Sequence, residues 1–215
     1  MGLSGGQIAG GNSSYGRVDY DYYATDPKDT TNFLKTIRRD GITFPGISFL
    51  EPAVGGGHII KAAKALLPDS QWTTCDIVDR GYPLTFKDDF LLHSFNVKYD
   101  GIITNPPFAL SLEFAEKSLT LLNNNGILAL FLKIQFLESD ARKQLFDLYP
   151  PKYVYVLRNR AATWYDGLPF NPTTGKPWSG TMTFAWFVWQ QGSKSEPIIR
   201  WVEDGELTLK TKRLF

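Results

Sequence analysis

The stretch Tyr99-Asp100-Gly101-Ile102-Ile103-Thr104-Asn105-Pro106-Pro107-Phe108 sets how the rest of the chain is read. Its apolar run ends abruptly in an amide, two prolines and an aromatic ring. Neither proline carries a backbone N–H and both fix φ, so a strand over Tyr99–Thr104 must stop there. Asn105 is thereby delivered to the carboxyl end of a strand, the edge at which open α/β sheets bind ligands. Asn and Pro are also ordinary turn residues. Alone, the stretch fits a plain strand-terminating turn as well as a site, and its neighbours decide between the two.

Upstream, strand and helix patterns alternate. Ile47–Glu51 reads as a strand, Pro52-Ala53-Val54-Gly55-Gly56-Gly57 as a tight loop, and His58–Leu67 as a helix stopped by Pro68. Gln71–Ile77 is a second strand ending in Asp76, and Leu84–Phe95 a short strand and turn containing Asp88-Asp89-Phe90. Downstream, Leu112, Ala115, Leu119 and Leu122 recur at helical spacing, closed by Asn123-Asn124-Asn125-Gly126. The apolar run Ile127–Ile134 suits a strand buried on both faces. Leu137–Leu148 reads as a helix with Arg142 and Lys143 on its polar side. Tyr153–Leu157 and Thr181–Gln190 are the last major strands, and Ile198–Val202 is a candidate edge. Ahead of all these, Thr25 or Asp26 can cap a helix that Pro27 opens and Gly41 ends, with Phe33, Leu34 and Ile37 as its apolar face. Such alternation predicts an α/β fold, a doubly wound, mostly parallel sheet with helices on both faces.

No repeat or linker marks a second domain. Residues 18–204 are expected to form one domain, between a Gly/Ser-rich flexible segment 1–17 and a tail 205–215. Inside it, residues 158–180 form a long loop with Arg158, Arg160, Trp164, Tyr165, Phe170, Lys176 and Trp178. Loops of this length are functional or disordered, and its aromatic content argues against plain disorder. A net charge of +1 gives no global attraction to polyanions, so nucleic-acid binding would need a local basic surface. One cysteine, Cys75, excludes an internal disulfide and a Cys-rich zinc site. With only His58 and His93 beside it, no metal is expected. The N-terminus lacks a basic-then-apolar leader, and the longest apolar run, Gly126–Leu132, is too short to cross a bilayer. The expectation is a soluble protein of the cytoplasm, with no membrane partner.

Three further features join Asn105. The glycines of Pro52–Gly57 let a backbone turn into a helix close to a ligand, although neither Gly-x-Gly-x-x-Gly nor a P-loop is present. Asp76, about 20 residues later at a strand end, is where ribose hydroxyls are bound in nucleotide-type folds. Asp89-Phe90 pairs an acid with a ring that can grip a purine. Each alone fits a loop or a surface carboxylate. All four fall on one edge of the predicted sheet.

On Asn105-Pro106-Pro107-Phe108 and Glu51–Gly57 the chain resembles the S-adenosylmethionine-dependent amino-methyltransferases, in particular small DNA adenine N6-methyltransferases of bacteria and their phages. Tyr22-Tyr23-Ala24-Thr25-Asp26-Pro27 is similar to their amino-terminal cofactor segment, with Asp26 departing from a more usual Thr-Pro-Pro. Leu132–Glu138 with Arg142, and Phe184–Trp189, also look like family segments, so the resemblance covers about residues 20–190. It implies a Rossmann-like sheet of seven strands whose last long strand is antiparallel. It also implies methyl transfer from S-adenosylmethionine to adenine N6 in DNA. Asn105, Pro106, Pro107 and Phe108 would be catalytic; Tyr23, Thr25, Glu51, Pro52, Gly55, Gly57, Asp76, Asp89, Phe90 and Asn105 would hold the cofactor. In the long loop Arg158, Arg160 and Lys176 are candidates for phosphate contacts, and Trp164 or Phe170 for base stacking. A loop folded on itself around an aromatic cluster fits that segment equally well. RNA or single-stranded DNA is the alternative substrate, since no segment is large enough for a separate target-recognition domain. Protein-glutamine methylation would lack its expected extra domain, and a cofactor-binding protein without catalysis would not need the intact tetrapeptide. Monomer and dimer are both compatible with the sequence.

Overall fold

The computed structural model describes residues 22–161, 163–178, 180 and 182–204. The segments 1–17 and 205–215 lie outside the described residues. Helix α1, Pro27–Arg39, begins as its residues dictate. The Asp26 carboxylate accepts the Lys28 N–H at 2.9 Å, Pro27 occupies the first turn, and Arg38 and Arg39 fall in the last. Its Phe33, Leu34 and Ile37 are buried.

Eight strands form one sheet. In chain order they are β2 (Ser48–Glu51), β3 (Gln71–Asp76), β4 (Phe86–Lys87), β5 (Tyr99–Thr104), β6 (Leu122–Lys133), β7 (Tyr153–Leu157), β9 (Phe184–Gln190) and β10 (Ile198–Val202). Their spatial order is β10-β7-β9-β6-β5-β2-β3-β4. Only β9 runs antiparallel, to both β6 and β7. The candidate edge Ile198–Val202 pairs in parallel with β7, and so extends the seven expected strands to eight. Two short strands, β1 (Tyr23–Ala24) and β8 (Trp164–Tyr165), pair antiparallel apart from the main sheet.

Successive residues of the central strands face opposite layers. Ile102 packs with Leu50, Leu128, Leu130 and Phe187 on the side covered by helices α3 (Ser111–Thr120) and α4 (Lys143–Leu148). Ile103 packs with Phe49, Phe131 and Trp186 on the side of α1 and α2 (His58–Lys64). Burial on both faces is why these strands read as continuous apolar runs. From β2 the chain winds outward through α2 to β3 and β4, then returns to β5 on the other side of β2. Such a reversal opens a crevice beyond the carboxyl ends of the two central strands.

Three local expectations are corrected. Asn123–Gly126 does not close a helix but lies inside β6, whose register against β5 is irregular between Tyr99 and Gly101. There Asn125 takes φ 61°, while the Asn123 side-chain amide donates to Asp100 at 2.9 Å. Leu137–Leu148 is broken: Ser139, at φ 107°, caps a 3-10 turn over Asp140–Arg142, and only Lys143–Leu148 is α-helical. Arg142 is therefore no solvated face residue. Its guanidinium turns back on the carbonyls of Phe136, Gln135 and Glu138, 4.8 Å from the Phe136 ring centroid.

Candidate active site

A cavity of about 470 Å³ opens at the reversal point, bounded by the ends of β2, β3 and β5. Glu51 ends β2 and is buried, and its Oε2 has no hydrogen-bond partner. Burial, and then the nearby Asp76 carboxylate, push its pKa well above the ordinary Glu range. Asp76, at the end of β3, lines the same cavity but is also structural. One carboxylate oxygen accepts the Gly55 N–H at 2.8 Å and the other the Val78 N–H at 3.0 Å. That clamp shapes the glycine loop.

The glycines act through backbone conformation. Gly55 has φ +51° and a Cβ there would sit 2.5 Å from the Tyr22 ring; Gly57, at φ +74°, would meet Tyr82 at 2.0 Å. Neither glycine lines the cavity, whereas Pro52 does. Asp89 faces the cavity with one carboxylate oxygen held by the Leu91 N–H at 2.8 Å. Phe90 borders the cavity from within a packed aromatic group, its centroid 4.8 Å from Phe114 and 5.7 Å from Phe95.

Asn105 stands at the carboxyl end of β5 and lines the same cavity as Asp89. Its Nδ2 donates to the Tyr23 carbonyl at 2.7 Å, while its Oδ1 is buried without a partner. The bond fixes the amide so that the unpartnered atom is the acceptor. Pro107 lines the cavity; Pro106 and Phe108 do not. Phe108 opens a 3-10 turn and lies near-parallel to Tyr23, with centroids 6.2 Å apart and planes at 19°. It also packs 5.7 Å from Phe184, and the Lys133 ammonium lies 4.8 Å from its ring centroid.

Thr25 and Tyr23 form part of the cavity wall, and β1 carries them there by pairing Tyr23 with Tyr165 and Ala24 with Trp164 of β8. The long loop is thus tied to the amino-terminal segment. The Asp166 N–H donates to the Tyr22 carbonyl at 3.3 Å, and the Tyr22 hydroxyl accepts the Gly56 N–H at 3.0 Å. The Arg80 guanidinium lies 4.0 Å from the Tyr22 ring centroid and 3.9 Å from Asp166. Trp164 meets His58, a residue of the cavity wall, edge to face at 5.3 Å, and does not itself line the cavity. Tyr22, from the segment Tyr22–Pro27, therefore joins the site, as do His58 and Arg80, which no motif in the sequence marks.

The rest of the loop folds on itself. The Trp178 indole donates to the Leu168 carbonyl at 2.7 Å and its ring lies 5.5 Å from Tyr165. Phe170 bridges to Pro177 and remains 54% exposed. Arg158 pairs with Glu203 at 2.9 Å and lies 5.9 Å from the Trp201 ring; Arg160 and Lys176 are exposed. These three cations are not gathered at the cavity wall. Among the described residues no cluster of His, Cys, Asp and Glu is arranged to hold a metal ion, and no helix is long and apolar enough to cross a membrane.

This sheet order, with its reversed strand, is that of the Rossmann-like methyltransferase fold. No protein-family model and no curated protein sequence matches the chain. Solved structures do. A candidate RNA methyltransferase from Pyrococcus horikoshii superposes with a TM-score of 0.60 at 14% identity, over 82% of this chain and 90% of that one. A candidate class I S-adenosylmethionine-dependent methyltransferase from Listeria monocytogenes gives 0.58 at 11% identity, over 89% and 69%. The modification subunit of a candidate type I restriction enzyme from Vibrio vulnificus gives 0.56 at 16% identity. That match takes in 93% of this chain and 49% of the subunit, so the chain spans about half of that protein.

Proposed function

We propose that this chain transfers a methyl group from S-adenosylmethionine to the exocyclic N6 of adenine in DNA. The observation that carries the reading is Asn105. Its amide is locked by the Tyr23 carbonyl, its Oδ1 is buried and unpartnered, and it borders the same cavity as Glu51, whose Oε2 is also unpartnered. An orphaned acceptor in a desolvated place costs stability unless something donates to it. An amine is the donor this geometry suits.

The cavity's residues fit the cofactor. Glu51, whose pKa is raised by burial and by Asp76, offers its carboxyl group to a ligand ammonium, whose positive charge would lower that pKa and favour the carboxylate. Asp89 and Phe90 offer a purine a hydrogen-bond acceptor and an apolar wall, and Asp76 an acceptor for ribose hydroxyls. Tyr23, Thr25 and Pro52 complete the wall, while Gly55 and Gly57 hold the loop in shape. When bound, S-adenosylmethionine supplies an electrophilic methyl group on a sulfonium.

Adenine's amino nitrogen is a weak nucleophile because its lone pair is delocalised into the ring. If the Asn105 Oδ1 and the Pro106 carbonyl each accept one amine hydrogen, the nitrogen pyramidalises and the lone pair becomes available for in-line attack. The N–C bond would form as the methyl–sulfur bond of the sulfonium breaks, the neutral thioether keeping that electron pair, and the methylated nitrogen would lose one proton to water, with no covalent enzyme intermediate. Asn105 is neutral, so it contributes alignment and electrostatic stabilisation rather than strong-base chemistry. Phe108 offers the base a face, and a base in a duplex has to leave the stack to reach it.

The test is transfer of labelled methyl groups to duplex DNA, single-stranded DNA, RNA and a glutamine-bearing peptide. The expected acceptor is DNA. Label in RNA alone would move the same chemistry to another polymer, and label in the peptide alone would overturn the reading.

A further inference from the structure

Tyr22 touches both the glycine loop and the long loop. Its hydroxyl accepts the Gly56 N–H at 3.0 Å, and a Cβ at Gly55 would sit 2.5 Å from its ring. From the long loop, a Cβ at Gly167 would sit 2.7 Å from the same hydroxyl. The turn that contains Gly167 takes its shape from its own residues. Asp166 and Gly167 have φ 51° and 71°, and the Leu168 N–H donates to the Tyr165 carbonyl at 3.1 Å. This is the pattern of the type I′ turn that Asp-Gly favours. Its position is set by contacts made elsewhere. The Asp166 N–H donates to the Tyr22 carbonyl at 3.3 Å, and the exposed Asp166 carboxylate lies 3.9 Å from the half-buried Arg80 guanidinium.

Arg80 belongs to the other side of the site. It lines the cavity two residues beyond Val78, whose N–H is held by one oxygen of Asp76. The second Asp76 oxygen holds the N–H of Gly55, the residue packed against Tyr22. One carboxylate in the cavity wall thus anchors both supports of the turn, the guanidinium and the ring 4.0 Å from it. A ligand that bonds Asp76 and covers Arg80 steadies these supports and removes water from one side of the ion pair. Such a pair is weak while it is exposed to solvent and strengthens as water is excluded.

We infer that Arg80 is a positioning residue: it carries cofactor occupancy to the turn Asp166–Gly167, so that cofactor and nucleic acid bind cooperatively. The inference rests on the proposed methylation of DNA, which assigns the long loop to the acceptor.

Asp166→Asn is the sharpest variant, because Asn-Gly also favours a type I′ turn and only the charge facing Arg80 is lost. Affinity for a duplex oligonucleotide is measured with and without saturating S-adenosylhomocysteine, the demethylated cofactor. The wild type should bind the duplex about fivefold more tightly with the ligand, and by linkage the duplex should tighten the ligand by the same factor. In Asp166→Asn and in Arg80→Gln the factor should fall below about twofold, and the double variant should lose no more. A merely structural role would weaken each binding separately and leave the factor intact. Amide exchange reads the same coupling without nucleic acid: S-adenosylhomocysteine should slow exchange at Gly167 and Leu168 in the wild type but not in Asp166→Asn. A factor retained in Asp166→Asn, or absent from a wild type that binds both partners, overturns the inference and leaves adenine methylation standing. A wild type that binds the cofactor but no nucleic acid overturns the proposed function, and the cooperativity with it.

Discussion

Glu51, Asp76 and Asn105 stand at the ends of β2, β3 and β5, parallel neighbours whose register fixes their spacing. Residues 158–180 are built otherwise: a two-rung pairing of β8 with β1, a Trp178–Leu168 hydrogen bond and aromatic contacts hold a segment with little ladder of its own. On the proposed cofactor side a residue's place follows from its strand. On the proposed substrate side it follows from contacts between segments far apart in sequence, such as Tyr23 with Tyr165 and His58 with Trp164. The proposed methyl transfer uses the strand-end half, and the proposed nucleic-acid partner meets the other.

The largest effect should come from the residue that joins the two halves. Asn105→Ala removes both the amide held by Tyr23 and the buried, unpartnered acceptor of a residue that lines the cavity. Transfer should fall by at least about a thousandfold, on the scale of losing one aligned polar group in a desolvated site. Cofactor affinity should stay within a few-fold, because Glu51, Asp76 and Asp89 are untouched. Retained activity in single-turnover assays would break the division of labour between the halves. A smaller effect, confined to the cofactor half, is expected of Gly57→Ala. The added Cβ meets Tyr82 at 2.0 Å and has to adopt φ +74°. Calorimetric affinity for S-adenosylmethionine should drop about tenfold, the left-handed conformation alone costing about 1–2 kcal/mol.

That these strand-end residues gather at one edge was legible because their signals are local. Glycines follow one strand, acids end two others, and prolines stop a fourth, so strand order alone brings Glu51, Asp76, Asp89 and Asn105 to one edge. The reversed strand Phe184–Gln190 was also accessible, as part of the resemblance. What the sequence did not reveal depends on distant pairing. Arg80 carries no local pattern, and its meeting with Tyr22 and Asp166 exists only once β1 and β8 are together. The Asn123–Gly126 run has the composition of a helix stop, yet the Asn123 bond to Asp100 and the left-handed Asn125 fold it into an irregular start of β6. Arg142 looked solvated because helical spacing cannot foresee that Ser139 interrupts the helix and turns the guanidinium onto carbonyls.

On the substrate half, replacing Arg158 and Arg160 together by Ala should weaken nucleic-acid binding and flatten its salt dependence, each lost phosphate contact reducing the slope of log K against log salt by about 0.9. Because Arg158 also pairs with Glu203, the single variant Arg160→Ala should change the slope with less effect on thermal stability. An unchanged slope would take this loop out of the binding surface. The smallest effect should be on stability. Glu51 has a raised folded-state pKa, so its stabilising contribution is complete below the ordinary value of 4.5 and is lost as pH rises through the folded one. Asp29, raised to about 7 by burial and by Asp26, acts in the same direction above its ordinary 3.8. Glu51→Gln should therefore soften, without abolishing, the fall in melting temperature of the ligand-free protein between pH 5 and 8, by about 3 °C.

The central claim concerns one atom, the exocyclic nitrogen held by Asn105. Digestion of labelled DNA to nucleosides after reaction with the wild-type protein, followed by mass analysis, identifies where the methyl group resides. The account predicts N6-methyladenine as the labelled product, and none with Asn105→Ala. A methyl group on a ring carbon, on a ring nitrogen or on a sugar hydroxyl would contradict it.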